Sequence, residues 1–111
     1  MTPNVNVLDP RDQINEKPTL NSLRSYDKLK LIKKPKALAL ASISKSTLHL
    51  KINDGLFAPP ISIGDRAVAF IESEVLAVVA AQIQGNSKSE IRFLVKELVA
   101  QRQNLLSEVL S

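Results

Sequence analysis

Residues Ser44 to Phe70 read SKSTLHLKINDGLFAPPISIGDRAVAF, and the order of caps, turns and apolar positions in this stretch decides the fold. Ser44 is a residue type that starts helices, because its hydroxyl accepts a bond from the amide of Ser46 or Thr47. Gly55 suits the left-handed residue that ends one. Between them Leu48 and Ile52, four apart, form an inward stripe, which leaves Lys45, His49 and Ser46 on the outer face. Pro59 and Pro60 force an extended approach to a strand over Ile61 to Ile63. Gly64-Asp65 turns the chain, and Ala67 to Phe70 returns as a second strand. The tip of that hairpin, Gly64-Asp65-Arg66, offers one basic side chain, Arg66, next to Asp65.

The flanking sequence extends this plan in both directions. The alternation of apolar and lysine residues from Leu29 to Ile32 predicts a short edge strand. A first helix begins near Pro35, whose missing N–H is harmless at a helix start, and continues through Ala41; Ser42-Ile43 makes the turn into the helix capped by Ser44. A third helix is expected from about Glu72 to Gln84. Glu72 and Glu74 lie at its positive end, and Val75, Val78, Val79 and Ile83 give it a core-facing stripe. Gly85-Asn86 breaks it. Ser87-Lys88-Ser89-Glu90 is a capping box that opens a last amphipathic helix, with Ile91, Leu94, Val95, Leu98, Val99, Leu105, Leu106, Val109 and Leu110 at spacings of three and four. Arg92, Lys96, Glu97, Gln101 and Arg102 fill much of its other face.

The fold class expected is α+β: a small winged helix-turn-helix with a two- to three-stranded sheet and an added C-terminal amphipathic helix. Three parts are expected: a flexible N-terminal arm over 1–23, rich in Pro, Asn and Asp, a winged domain over 24–86, and the terminal helix over 87–111. That helix nearly follows a heptad seam through Ile91, Leu94, Leu98 and Leu105, interrupted by Gln101. It either packs back on the domain's own core or carries self-association or a contact with a partner protein.

Composition narrows the function. The 111 residues suffice for one small domain with a modest core. There is no cysteine and a single histidine, so disulfides, thiol catalysis and most metal sites cannot be assembled. Neither a P-loop nor GxGxxG is present. No enzyme activity, cofactor or metal is expected, and the Glu72/Glu74 pair is explained by the helix dipole without catalysis. The first residues hold no apolar run typical of a secretory signal, and the longest apolar segment, Val75 to Ala81, is too short to span a bilayer. A cytoplasmic protein with no membrane partner is the expectation. Between Arg24 and Lys51, eight basic residues face a single acid, Asp27, a local charge of +7 in a chain whose total is +4.

A basic segment beside a helix and a hairpin tipped by Arg66 suits double-stranded DNA. Lys45, Ser46, Thr47, His49 and Lys51 are side chains that reach phosphates and base edges when a helix enters a major groove. Each also has a plainer reading. Thr47 can bond the start of its own helix, His49 can be a partly exposed structural residue, and Arg66 can be a solvated turn residue. As a class, the rival to DNA binding is a helical protein-interaction adaptor, for which a +7 segment has no use.

Over roughly Leu31 to Ile83 the chain resembles the AlpA family of small phage and mobile-element regulators, within the winged-helix group shared with phage excisionases and MerR-like proteins. The resemblance rests on Ser44-Lys45-Ser46-Thr47-Leu48, Gly55-Leu56-Phe57, the run Gly64-Asp65-Arg66-Ala67-Val68-Ala69-Phe70, and Glu72-Ser73-Glu74-Val75. It implies that the helix from Ser44 is the recognition helix and the glycine turn the wing. The implied DNA contacts are Ser44, Lys45, Ser46, Thr47, His49 and Lys51, then Gly64 and Arg66; Lys33 and Lys34, in the basic window, are assigned to the same surface. The family more often carries Arg at position 45, Tyr at 49 and Trp at 70. Lys45 cannot make the bidentate guanine contact of an arginine, whereas Phe70 for Trp is a change inside the core. The family's members act as transcriptional regulators or as recombination directionality factors, which bend attachment-site DNA through cooperative binding so that an integrase excises the element.

Overall fold

The computed structural model describes residues 28–110; the arm expected over 1–23 lies outside them. The elements follow in the order β1 (Leu31–Ile32), α1 (Lys34–Ala41), α2 (Lys45–Asn53), β2 (Ile61–Ser62), β3 (Val68–Ile71), α3 (Glu72–Ile83) and α4 (Lys88–Leu110). The sheet is antiparallel with the order β1-β3-β2. Leu31 pairs with Ile71 and Ile32 with Phe70 on one side, while Ile61 pairs with Ala69 and Ser62 with Val68 on the other. The fold is therefore a small winged helix-turn-helix with α1 and α2 as the helix pair, β2 and β3 as the wing, and α4 added.

Local chemistry explains where the helices stop. In α2 the Gly55 amide donates to Ile52 O at 3.1 Å and the Leu56 amide to Lys51 O at 2.8 Å. With Gly55 at φ 76°, this is a Schellman closure, and it satisfies carbonyls that the helix end would otherwise orphan. The same pair of bonds closes α3 at Gly85, φ 83°, through Gly85 N to Gln82 O and Asn86 N to Ala81 O. At the end of α1 the left-handed position is held by Ser42, φ 57°, at a backbone cost of roughly 1–2 kcal/mol. That three-residue turn, Ser42-Ile43-Ser44, sets α2 across α1. The start of α1 differs by one residue from expectation: Lys33 is the cap, and Pro35 stands one place inside the helix.

The core lies between the two-helix unit, β3 and the inner faces of α3 and α4. Ala37, Leu48, Val75 and Val78 are completely buried, and Phe57 and Phe70 nearly so. The two rings meet edge to face, 6.0 Å apart at 79°, a geometry that adds about 0.5–1.5 kcal/mol to their burial. Ile91 and Val95 of α4 belong to the same core, and Leu94 and Leu98 pack against it. The terminal helix, expected as a part separate from the winged domain, thus contributes Ile91 and Val95 to that domain's interior. Two further positions depart from their expected faces. Ile83 is 81% exposed, because it is five residues beyond buried Val78 and so about 140° around the helix. Arg102, read as outer-face filling, turns inward.

That inward turn accounts for the one buried charge among the described residues. Glu74, only 3% exposed, accepts from Arg102 Nε at 2.8 Å and from Nη2 at 2.7 Å. Nη2 also donates to Pro59 O at 2.9 Å. A carboxylate buried in this way is tolerated because a planar guanidinium meets both its oxygens. Glu74 therefore ties α4 to the core, a role that the helix dipole alone does not explain.

Candidate nucleic-acid interface

Helix α2 starts where its cap dictates. The Thr47 amide donates to Ser44 Oγ at 3.2 Å, and Ser44 Oγ in turn donates to Thr47 Oγ1 at 3.0 Å. Ser44 also lies 3.3 Å from Ser46 Oγ. Ser44 is thus engaged in shaping the helix start, and Thr47, half-buried, helps it. With Leu48 fully buried, positions 45, 46, 49 and 50 are exposed. Lys45 and His49, four apart, stand one above the other on that open face. Lys51 lies half-buried on the flank, one turn beyond Thr47.

Leu50 completes the open face and was missed by the sequence reading. It is 65% exposed. The signal was available: two residues from buried Leu48 is about 200° around the helix, so Leu50 must face out.

The wing is the β2–β3 hairpin. Ile63 N donates to Ala67 O at 2.9 Å, and Ser62 Oγ donates to Gly64 O at 3.1 Å. Gly64, Asp65 and Arg66 between them are exposed. Gly64 is not left-handed, and a Cβ there would make only ordinary contact with Ala67, at 3.5 Å. The fold itself does not require glycine at this tip.

The basic window is less uniform than its charge suggests. Lys30 and Lys36 lie 3.8 and 3.6 Å from Glu72 and so help to hold the start of α3. Lys33, Lys34, Lys45, Lys51 and Arg66 form no hydrogen bond or ion pair through their side chains among the described residues. Lys33 is exposed at the cap of α1 and Lys34, half-buried, is its first residue. The candidate residues therefore fall into three settings: the open face of α2, the wing tip, and the start of α1. Among the described residues no group of three or more His, Asp or Glu side chains could hold a metal ion.

Helix pair, sheet and hairpin define a small winged helix-turn-helix protein, and comparison with known sequences specifies which. The family model described as Prophage CP4-57 regulatory protein (AlpA) matches residues 30–83. Protein ORF88 of Enterobacteria phage P4 is 34% identical over 59 residues, covering 53% of this chain and 67% of that protein. The chain belongs to the AlpA family. No solved structure matches it. The family span runs from just before β1 to the end of α3, so α4 lies outside it.

Proposed function

We propose that this protein is a sequence-specific DNA-binding regulator of a prophage or related mobile element, with α2 as the helix read into the major groove and the β2–β3 hairpin as the wing. The observation that carries this reading is the set of cations without partners among the described residues, Lys45 on the open face of α2 and Arg66 at the wing tip foremost, in a chain of the AlpA family. Lys45, Ser46 and His49 contact base edges and phosphates; Leu50 packs on a thymine methyl. Thr47 and Lys51 line the groove wall, Ser44 sets the angle of the helix, and Gly64 and Arg66 grip the neighbouring minor groove or its phosphates. Lys33 and Lys34 add phosphate contacts at the start of α1.

A single domain of this size covers little DNA, so useful affinity calls for neighbours on adjacent sites. Leu76, Ile83 and Phe93, exposed on α3 and α4, supply apolar surface for such contacts between copies or with an integrase. Cooperative binding of this kind bends DNA at an elastic cost of about 1–6 kcal/mol, which is the task of a recombination directionality factor and equally serves a transcriptional regulator.

The test is a gel-shift titration on the element's attachment-site and promoter DNA, with competitor present, comparing wild type with Lys45→Ala and Arg66→Ala. Ladders of mutation-sensitive complexes on the attachment site are expected of a directionality factor, and one discrete complex at the promoter alone of a transcriptional regulator. With about five phosphates neutralised, log affinity should fall with log salt at a slope near −4 to −5. Absence of any specific shift would leave only the adaptor reading.

A further inference from the structure

The helix that lies outside the family span bonds to the chain just after α2 and just before β2. Arg92, in the first turns of α4, donates from Nε to Asp54 O at 2.9 Å. Asp54 is the residue on which α2 ends. The stem of Arg92 lies over the turn that follows, its Cγ 3.8 Å from where a side chain would begin on Gly55. Ten residues along α4, about 15 Å of rise, Arg102 donates to Pro59 O at 2.9 Å while its guanidinium is locked on Glu74. Pro59 stands two residues before the first wing strand. The segment between these two carbonyls is itself anchored, with Leu56, Phe57 and Ala58 all buried. One rigid helix therefore holds the exit of the recognition helix and the approach to the wing at two fixed points.

We infer that α4 is a positioning strut: Arg92 and Arg102 set the spacing and angle between α2 and the wing, so that base-specific binding depends on two arginines that do not touch DNA. The inference rests on the proposed DNA-binding reading. Specific binding requires the helix and the wing to meet two grooves at once, and an error of an ångström in their spacing sacrifices base contacts first. Non-specific binding needs only charge near phosphates, and it tolerates such an error.

Three substitutions separate position from charge. Arg92→Ala removes the bond to Asp54. Arg92→Gln removes the charge but leaves an amide nitrogen at the same point along the chain as Arg Nε, so it can still donate to that carbonyl. Arg102→Lys keeps a cation beside Glu74 but loses the fork that reaches Pro59 as well. Because the chain has no cysteine, spin labels placed through His49→Cys and Asp65→Cys report the helix-to-wing distance in the free protein. Arg92→Ala and Arg102→Lys are expected to broaden that distance distribution and to weaken specific binding by roughly tenfold, with non-specific affinity and salt slope unchanged. Arg92→Gln restores both readings. An unchanged distribution and unchanged specific affinity in Arg92→Ala would overturn the inference. So would an Arg92→Gln protein as weak as Arg92→Ala with a salt slope shallower by about one, which marks a phosphate contact. If wild type forms no specific complex at all, the DNA-binding reading fails, while the label distances still decide whether the strut holds the wing.

Discussion

Replacing Arg102 with alanine is expected to destabilise the fold by about 3–5 kcal/mol, the range for removing one partner of a buried ion pair. Glu74 then remains almost wholly buried with a charge that neither water nor a cation reaches, and Pro59 O loses a donor as well. Against a total of about 5–15 kcal/mol for a domain of this kind, the loss is large enough to show as a shifted midpoint in urea denaturation. The guanidinium's pKa is raised above its ordinary value, chiefly by the hydrogen bond to Glu74 and further by that carboxylate's charge, with burial pulling the other way. A cation whose folded pKa is raised contributes its stability below the unfolded pKa and loses it only as pH climbs through the folded one. For an arginine both lie far above neutrality, so this contribution is flat across neutral pH. Glu74→Leu combined with Arg102→Leu should recover most of the loss, because a matched apolar pair leaves no orphaned charge. A single substitution that shifts the midpoint hardly at all would mean that water reaches Glu74.

Removal of residues 88–111 is expected to abolish cooperative unfolding altogether. Ile91 and Val95, 7% and 6% exposed, each contribute about 1.5–3 kcal/mol by burial, and their loss bares the inner face of α3 while also stripping Glu74 of Arg102. Together these come to about 6–11 kcal/mol, comparable to the whole stability of a small domain. Thermal melting followed by circular dichroism should show a broad, featureless decline in place of a sigmoid. A sharp transition near that of the full chain would mean that 28–86 folds alone and that α4 is an appendage.

Which features were legible in the sequence follows from how local their causes are. The start of α2 at Ser44, its closure at Gly55, and the Ser87/Glu90 capping box, with Ser87 N donating to Glu90 Oε1 at 2.7 Å and Glu90 N to Ser87 Oγ at 3.2 Å, each depend on residues within a few positions of one another. The hairpin around Gly64-Asp65-Arg66 is equally local. Arg102 and Glu74 are 28 residues apart, and Arg92 is 38 residues from Asp54. Nothing in the spacing of either arginine distinguishes it from a solvated one. Ile83 was read as inward because periodicity says which face of a helix is apolar but not where along the helix the core ends. In the candidate interface, residue types pointed to α2 and the wing, whereas the burial pattern was needed to set Ser44 and Thr47 to shaping the helix and to bring Leu50 onto the open face.

The most direct measurement is a map of backbone amide shifts in the isotope-labelled protein titrated with duplexes tiled across the element's promoter and attachment site. Saturable shifts are expected to concentrate at residues 45–51 and 63–67, with smaller ones at Lys33 and Lys34, on one duplex and not on scrambled DNA. Shifts confined to α3 and α4, or none that distinguish the element's DNA from a scrambled duplex, would contradict DNA binding through α2 and the wing.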